Sequence, residues 1–231
     1  MSKFLLFIIT TIVAISAIGQ TSNRQLEASE IDQLFTEELK KKLNIDFPIY
    51  RSYEYIDNIG THYLILTEHP DANGEKSEHN DSIKAYSYRI TDSGWQINWQ
   101  LKDFILPNGN PNSREYSIWF WSKYLTLDDI DNDGNIEPII VYGTSGMNGT
   151  GDGRIKILTY HNGTKRAIRH QNGILDFQRN TQVDELFYEL PNSVQDAVIA
   201  IMNQITSSEH GIFPAGWNSA MRADKLYFDE N

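Results

Sequence analysis

The 231-residue chain has no cysteine, seven prolines, and 20 lysine and arginine residues against 31 aspartate and glutamate residues. The absence of cysteine excludes disulfide bonds, thiolate zinc sites, cysteine nucleophiles and iron–sulfur clusters. The shortage of positive charge, a formal net charge of −11, argues against nucleic-acid binding, because such proteins carry a basic surface. With 40% hydrophobic and 12% aromatic residues, the chain has enough apolar side chains for a packed core.

The N-terminus carries a long uncharged run that predicts export. Residues 4–18 are mostly apolar, and the small residues Ala17 and Gly19 precede a cleavage position at Gln20. This is the layout of a secretory signal peptide over residues 1–19. An uncleaved membrane anchor is the alternative, but fifteen helical residues span roughly 22 Å, less than the ~30 Å hydrocarbon core. The cleavage position lacks the cysteine of a lipoprotein, so we expect a periplasmic, secreted or cell-surface protein without a transmembrane segment after cleavage.

Hydrophobic spacing divides the mature chain into three parts. Residues 20–46 combine a polar linker with an amphipathic helix predicted over residues 29–44. Residues 47–180 show the alternation typical of strands and form a β-rich domain. Residues 181–231 are a C-terminal helical segment that packs on this domain, with its main helix beginning at Pro191. The pattern predicts an α+β fold, mainly β, flanked by an N-terminal and a C-terminal helix.

The β-rich part contains two similar stretches. Residues 55–66 align with residues 129–140, and each stretch continues as strand, polar loop and hairpin. The second hairpin has Asn-Gly at 162–163, which predicts a type I′ turn. We therefore expect two blade-like antiparallel units, packed like part of a propeller or joined as a meander. Chance similarity between β-hairpins remains the alternative to a true degenerate repeat.

Residues 129–137 form an acidic loop, Asp-Ile-Asp-Asn-Asp-Gly-Asn-Ile-Glu. Carboxylates at relative positions 1, 3, 5 and 9 repel one another unless a cation lies between them. Ca²⁺ accepts six to eight oxygen ligands with flexible geometry, and the glycine at position 6 permits a sharp turn. An EF-hand is excluded, because its position 12 requires glutamate and this chain has Ile140. Another hard cation and a metal-free acidic turn remain alternatives.

The acidic loop resembles the calcium loop of integrin-type FG-GAP and VCBS repeats, Asp-x-Asp-x-Asp-Gly-x-x-Asp/Glu. The resemblance implies calcium ligation by four side chains and one backbone carbonyl, those of Asp129, Asp131, Asp133, Glu137 and, for the carbonyl, Asn135. The chain departs from the family in having glutamate at the last position and one good copy instead of several. Ile59 and Tyr63 replace ligands in the first stretch, so we expect no ion there.

The wider layout resembles a group of exported bacterial surface polysaccharide biosynthesis proteins. The shared features are the signal peptide, the acidic loop, Ser-Ile-Trp-Phe-Trp-Ser-Lys-Tyr-Leu at 117–125, Gly-Asp-Gly-Arg-Ile-Lys at 151–156 and Ala-Gly-Trp-Asn at 215–218. This resemblance implies a setting in the cell envelope, with surface polysaccharide or envelope proteins as partners. It supplies no catalytic residue.

Trp119 and Trp121 share one face of an aromatic strand and are candidates for glycan contact, although such rings also fill cores. Three functions follow from these observations. The first is a calcium-binding, non-enzymatic envelope protein. The second is a carbohydrate-binding module that uses the tryptophans. The third is a hydrolase of envelope glycans, for which the sequence offers no recognisable pair of carboxylates.

Overall fold

The computed structural model describes residues 21–71, 79–106 and 114–230. The predicted signal peptide, residues 1–19, lies outside these ranges, as do the loop at 107–111 and residues 72–78 of the polar loop predicted at 69–82. The prediction of a loop is wrong at its two ends, because residues 69–70 and 80–82 belong to strands. No helix within the described ranges is long and apolar enough to cross a membrane.

Two antiparallel sheets form most of the described chain. The strands are numbered along the chain. The first sheet has the order β1-β2-β3-β4-β5, and the second has the order β12-β11-β10-β9-β8-β6. Strand β7 also belongs to the second sheet, where it pairs with the N-terminal end of β8 while β6 pairs with the C-terminal end. The bounds are β1 Ser22–Gln25, β2 Ile49–Asp57, β3 Gly60–Pro70, β4 Asn80–Thr91, β5 Gly94–Phe104, β6 Ser117–Phe120, β7 Thr126–Asp128, β8 Glu137–Ser145, β9 Arg154–His161, β10 Thr164–Gln171, β11 Asn180–Val183 and β12 Tyr227–Asp229. This architecture confirms the predicted α+β, mainly β class.

Four α-helices accompany the sheets in the described ranges: α1 Ala28–Leu34, α2 Glu37–Lys42, α3 Asn192–Ser207 and α4 Trp217–Arg222. The prediction of one helix over residues 29–44 is wrong. The chain leaves helical geometry at Phe35, and Thr36 caps α2 by accepting a 3.3 Å hydrogen bond from the Leu39 amide. Phe35 is buried against Tyr63, so tertiary packing of one aromatic ring breaks the helix.

The C-terminal part is less helical than the sequence pattern indicates. Helix α3 begins directly after Pro191, as predicted. However, β11 and β12 pair with each other and extend the second sheet. Strand β8 continues through Gly143 to Ser145 before the chain turns into the glycine-rich stretch that follows.

Each sheet contains a four-stranded meander, β2–β5 in the first and β7–β10 in the second. The turn at 57–60 joins the first two strands of one meander, and the acidic loop joins the first two strands of the other. The two stretches that align in sequence thus occupy equivalent places in their meanders. The turn at 162–163 has φ values of +49° and +71°, which confirms the predicted positive-φ hairpin turn.

The layers run helix, sheet, sheet, helix. Helix α3 covers the outer face of the second sheet, where Val198 and Met202 share one hydrophobic cluster with Val141. Helices α1 and α2 cover the outer face of the first sheet. Between the sheets, side chains of β3 and β4 pack against those of β6, β8 and β9. Neighbouring residues such as Ile139 and Ile140 are therefore both fully buried, each on a different face of β8.

Buried His170 in β10 makes the free energy of unfolding depend on pH. Burial lowers its pKa to about 4, although Asn172 accepts a hydrogen bond from the ring at 2.8 Å. Between pH 6.5 and pH 4 the unfolded chain binds a proton at this position and the folded chain does not. Stability therefore falls as the pH drops through this window.

We expect wild type to lose about 3 kcal/mol more stability than His170→Gln between pH 7 and pH 4. The reason is that folding lowers the pKa of His170 from 6.5 to about 4, and each pH unit between these values costs about 1.36 kcal/mol. Urea unfolding of both proteins across this range measures the difference. Parallel stability curves would contradict the assignment of a neutral buried imidazole.

Candidate metal centre

The acidic loop leaves β7 at Asp128 and enters β8 at Glu137. Its turn depends on positive φ values of +61° at Asn132 and +87° at Gly134. The aspartate side chains accept hydrogen bonds from backbone amides of the same loop. Asp129 Oδ2 accepts a 3.1 Å hydrogen bond from the Gly134 amide, and Asp133 Oδ1 accepts one of 2.7 Å from the Asn135 amide. The side chains therefore shape the turn that presents them.

Four side chains converge at this loop. The ligand atoms of Asp131, Asp133, Glu137 and His161 all lie within 4.8 Å of one another, an arrangement that can hold a metal ion. Three of the predicted ligands are thus brought together. Asp129 lies outside this group of four, yet its Oδ1 atom is buried without a hydrogen-bond partner in the structure. A buried carboxylate oxygen without a donor is costly, and a cation would satisfy it.

The pKa of Glu137 is raised by its burial in the cluster. Its side chain is at the start of β8, only 1% of the residue is exposed, and the Ile130 amide donates a 2.8 Å hydrogen bond to Oε2. Burial, reinforced by the negative charges of the three aspartates, raises the pKa of this carboxyl to about 7. Burial is the main cause of this shift and the three aspartate charges add to it, so a positive charge beside Glu137 would favour its ionised form.

His161 belongs to the cluster, and the sequence interpretation missed it. Its Nε2 atom lies 3.1 Å from Asp131 Oδ2. The pairing of β8 with β9 explains why His161 lies at this loop. β8 pairs with β9 with Ile139 opposite Thr159, and extending this register by two residues places His161 opposite Glu137. Spacing along the chain could not reveal a neighbour supplied by strand pairing.

The turn at 57–60 docks directly on the acidic loop. The Asn58 amide donates a 2.9 Å hydrogen bond to the Gly134 carbonyl, and its side-chain amide donates one of 3.3 Å to the Asp133 carbonyl. The Ile136 amide lies 3.4 Å from Asp57 Oδ2 as a long hydrogen bond. Burial opposes ionisation of Asp57, but its hydrogen bond with His62 holds the pKa of the carboxyl below its ordinary value. The first sheet therefore fixes the backbone of the loop in the second.

The two tryptophan candidates differ in their surroundings. Trp121 is 6% exposed and packs beside Tyr124 and His210 in the core under α3. Its ring is therefore not available for stacking on a sugar from solvent, which corrects that part of the glycan-contact hypothesis. Trp119 is only partly buried and lines a surface depression of about 390 Å³ with Glu68. A glycan contact at Trp119 stays a prediction.

Comparisons of this chain with protein-family models, with curated proteins and with solved structures give no match in any of the three. The interpretation of the loop therefore depends on its geometry and on the sequence pattern of residues 129–137.

Gly134 offers a test of the contact between the turn and the loop. A Cβ atom on Gly134 would lie 1.8 Å from Asn58 Nδ2, in addition to the strain of a φ of +87°. We expect Gly134→Ala to lower the free energy of unfolding by roughly 2–4 kcal/mol, the sum of left-handed strain and a clash that displaces Asn58. Chemical denaturation measures this loss.

Gly163→Ala is the matched control, because Gly163 has a φ of +71° and open space around its Cβ position. It should lose only about 1–2 kcal/mol. Asn58→Ala in the Gly134→Ala background should recover part of the difference. Equal losses for the two glycine variants would show that the docking of Asn58 does not restrict this loop.

Proposed function

We propose that this protein is an exported, non-enzymatic cell-envelope protein that binds one calcium ion in the loop of residues 129–137. The observation that carries the proposal is the convergence of the Asp131, Asp133 and Glu137 carboxylates in a loop that also buries an unpaired Asp129 oxygen. Oxygen-rich, flexible sites of this kind favour Ca²⁺ over metals that prefer nitrogen or sulfur. The backbone carbonyl of Asn135 completes the proposed ligand set.

In this proposal His161 positions a ligand and does not bind the ion. Its Nε2 atom already lies within hydrogen-bond distance of Asp131 Oδ2, so the ring can orient that carboxylate. Hydrogen bonds to ligating groups commonly fix their direction and tune affinity. A site in which His161 itself ligates would favour a transition metal, and this is the competing assignment.

The ion would act on the architecture of the protein. The loop joins β7 to β8 and is held by Asp57 and Asn58 of the other sheet. A cation that binds only the folded loop stabilises it by RT ln(1 + [L]/Kd), about 2.7 kcal/mol when calcium is at 100 times Kd. Calcium would thereby strengthen the junction between the two sheets. Micromolar to millimolar affinity is the range expected for extracellular modules.

The cellular role we propose is in surface polysaccharide biosynthesis or assembly. It is supported by the predicted signal peptide and by the resemblance of the motifs at 117–125, 151–156 and 215–218 to exported proteins of that kind. Surface polysaccharide and envelope proteins are the proposed partners. The proposed site of action is the periplasm or the cell surface.

A second candidate function is carbohydrate binding at Trp119. Trp119 shares its surface depression with the hydrogen-bonding side chains of Glu68, Asn80 and Ser117. An indole ring beside such groups can stack on a sugar ring while they hydrogen-bond its hydroxyls.

Calcium should raise the melting temperature of the mature protein relative to the same protein in EGTA. Asp131→Asn, Asp133→Asn and Glu137→Gln should each weaken calcium binding at least about tenfold, because each removes a charged ligand. Calorimetric titration and native mass spectrometry measure affinity and stoichiometry. The matched control is Asp128→Asn, an exposed carboxyl next to the loop that is outside the proposed ligand set.

No change in melting temperature, together with no bound ion, would overturn the calcium proposal. Tighter binding of Zn²⁺ than of Ca²⁺, abolished by His161→Ala, would favour the competing transition-metal site.

Substituting the two tryptophans separates glycan contact from core packing. Trp121→Ala should lower the free energy of unfolding by about 3–5 kcal/mol, since it empties a buried position. Trp119→Ala should cost less stability and should reduce retention on immobilised surface polysaccharide. Affinity electrophoresis measures retention. Unchanged retention in Trp119→Ala would remove Trp119 from any glycan site.

A further inference from the structure

A cleft of about 320 Å³ lies between the two sheets beside the acidic loop. Its volume is in the range of small-molecule sites. The first sheet contributes Tyr55, His62, Arg89 and Trp99 to its lining, and the second contributes Asn135 and Tyr160. The exposed side chain of Ile97 at the lining shows that the cleft meets the protein surface.

Stacked rings form the walls of this cleft. Trp99 stacks on Tyr160 across the two sheets, with ring centroids 3.7 Å apart and planes 11° apart. Tyr55 stacks on His62 with a centroid distance of 4.7 Å and an interplanar angle of 4°. Rings that stack on one another in this way form rigid apolar walls.

Unpaired polar atoms are concentrated at the same place. In the described ranges seven buried side-chain nitrogen or oxygen atoms have no hydrogen-bond partner. Three of the seven belong to residues that line this cleft: Arg89 Nε, Asn135 Oδ1 and Tyr160 Oη. They comprise a donor, an acceptor and a hydroxyl that can serve as either. The three atoms are themselves buried, so their side chains would have to rotate for a ligand in the cleft to pair with them.

Asp57 and His62, which line the cleft, already have hydrogen-bond partners within the fold. Asp57 Oδ1 accepts hydrogen bonds from the Ile59 amide at 2.8 Å and the Gly60 amide at 3.2 Å, and His62 Nε2 lies 3.0 Å away. The other His62 nitrogen lies 3.1 Å from Asn98 Nδ2. Both ring nitrogens of His62 and the Asp57 carboxylate are therefore held in place by partners within the fold.

We propose that this cleft binds one neutral sugar unit. A sugar presents hydroxyls that donate and accept together with apolar C–H faces, which matches the unpaired atoms and the aromatic walls. An apolar ligand would leave the three polar atoms unsatisfied. An anionic ligand would be repelled by the carboxylates of the adjacent acidic loop. This site lies apart from Trp119, and it does not require a cation in the loop.

The test is a nuclear magnetic resonance titration of the mature protein with the methyl glycosides of glucose, galactose, mannose, N-acetylglucosamine and glucuronic acid, each to about 10 mM. Titrations run both in calcium and in EGTA, so that failure of the metal site and failure of the sugar site are distinguishable. We expect at least one neutral glycoside to shift the Trp99 indole signal saturably.

Tyr160→Phe and Arg89→Met should each weaken that binding at least about fivefold, because each removes one hydrogen-bonding group. Tyr160→Phe should keep the melting temperature of wild type or raise it, since the lost hydroxyl has no partner in the fold. Tyr227→Phe and Arg222→Met, exposed residues of β12 and α4 outside the cleft lining, are the matched controls and should bind as wild type does.

Three outcomes would overturn the proposal. The first is the absence of any saturable shift with the neutral glycosides. The second is binding that Tyr160→Phe and Arg89→Met leave unchanged, which would place the sugar elsewhere. The third is a preference for the glucuronide over every neutral glycoside.

Discussion

The structure depends on one contact, the docking of the turn at 57–60 onto the acidic loop. Asn58 donates hydrogen bonds to two carbonyls of the loop, and Gly134 leaves no room there for a side chain. This contact joins the first turn of one meander to the first loop of the other. It closes the inter-sheet core at one end, next to the cleft lined by Trp99 and Tyr160. The candidate cation site and the cleft are therefore neighbours on one junction.

Much of the fold follows from local patterns in the sequence. Alternating apolar residues predict the two hairpins, the Asn-Gly pair predicts the turn at 162–163, and the apolar stripe after Pro191 predicts α3. The errors come from tertiary packing. The N-terminal helix breaks where Phe35 is buried against Tyr63, and β11 and β12 form because they complete a sheet edge. Propensity within one segment contains no information about these distant partners.

Only part of the candidate site could be predicted from the sequence. Carboxylate spacing identified the residues that approach one another, because Asp131, Asp133 and Glu137 are neighbours in one tight loop. His161, Asp57 and Asn58 were not recognised as parts of the site, since strand register and sheet packing bring them there. Trp119 lies in β6 and Trp121 directly after it, and only the packing of Trp121 in the cluster under α3 shows that its ring is buried.

We propose that a hard cation in the acidic loop, whose backbone is held by the turn at 57–60, organises the junction beside the cleft. A crystal structure of the mature protein grown with calcium, with anomalous diffraction data, tests this claim most directly. We expect one anomalous peak in the loop, with oxygen atoms of Asp129, Asp131, Asp133, Glu137 and the Asn135 carbonyl at about 2.3–2.6 Å from the ion. An empty loop at saturating calcium, or an ion coordinated by the His161 nitrogen at about 2.0–2.1 Å, would contradict it.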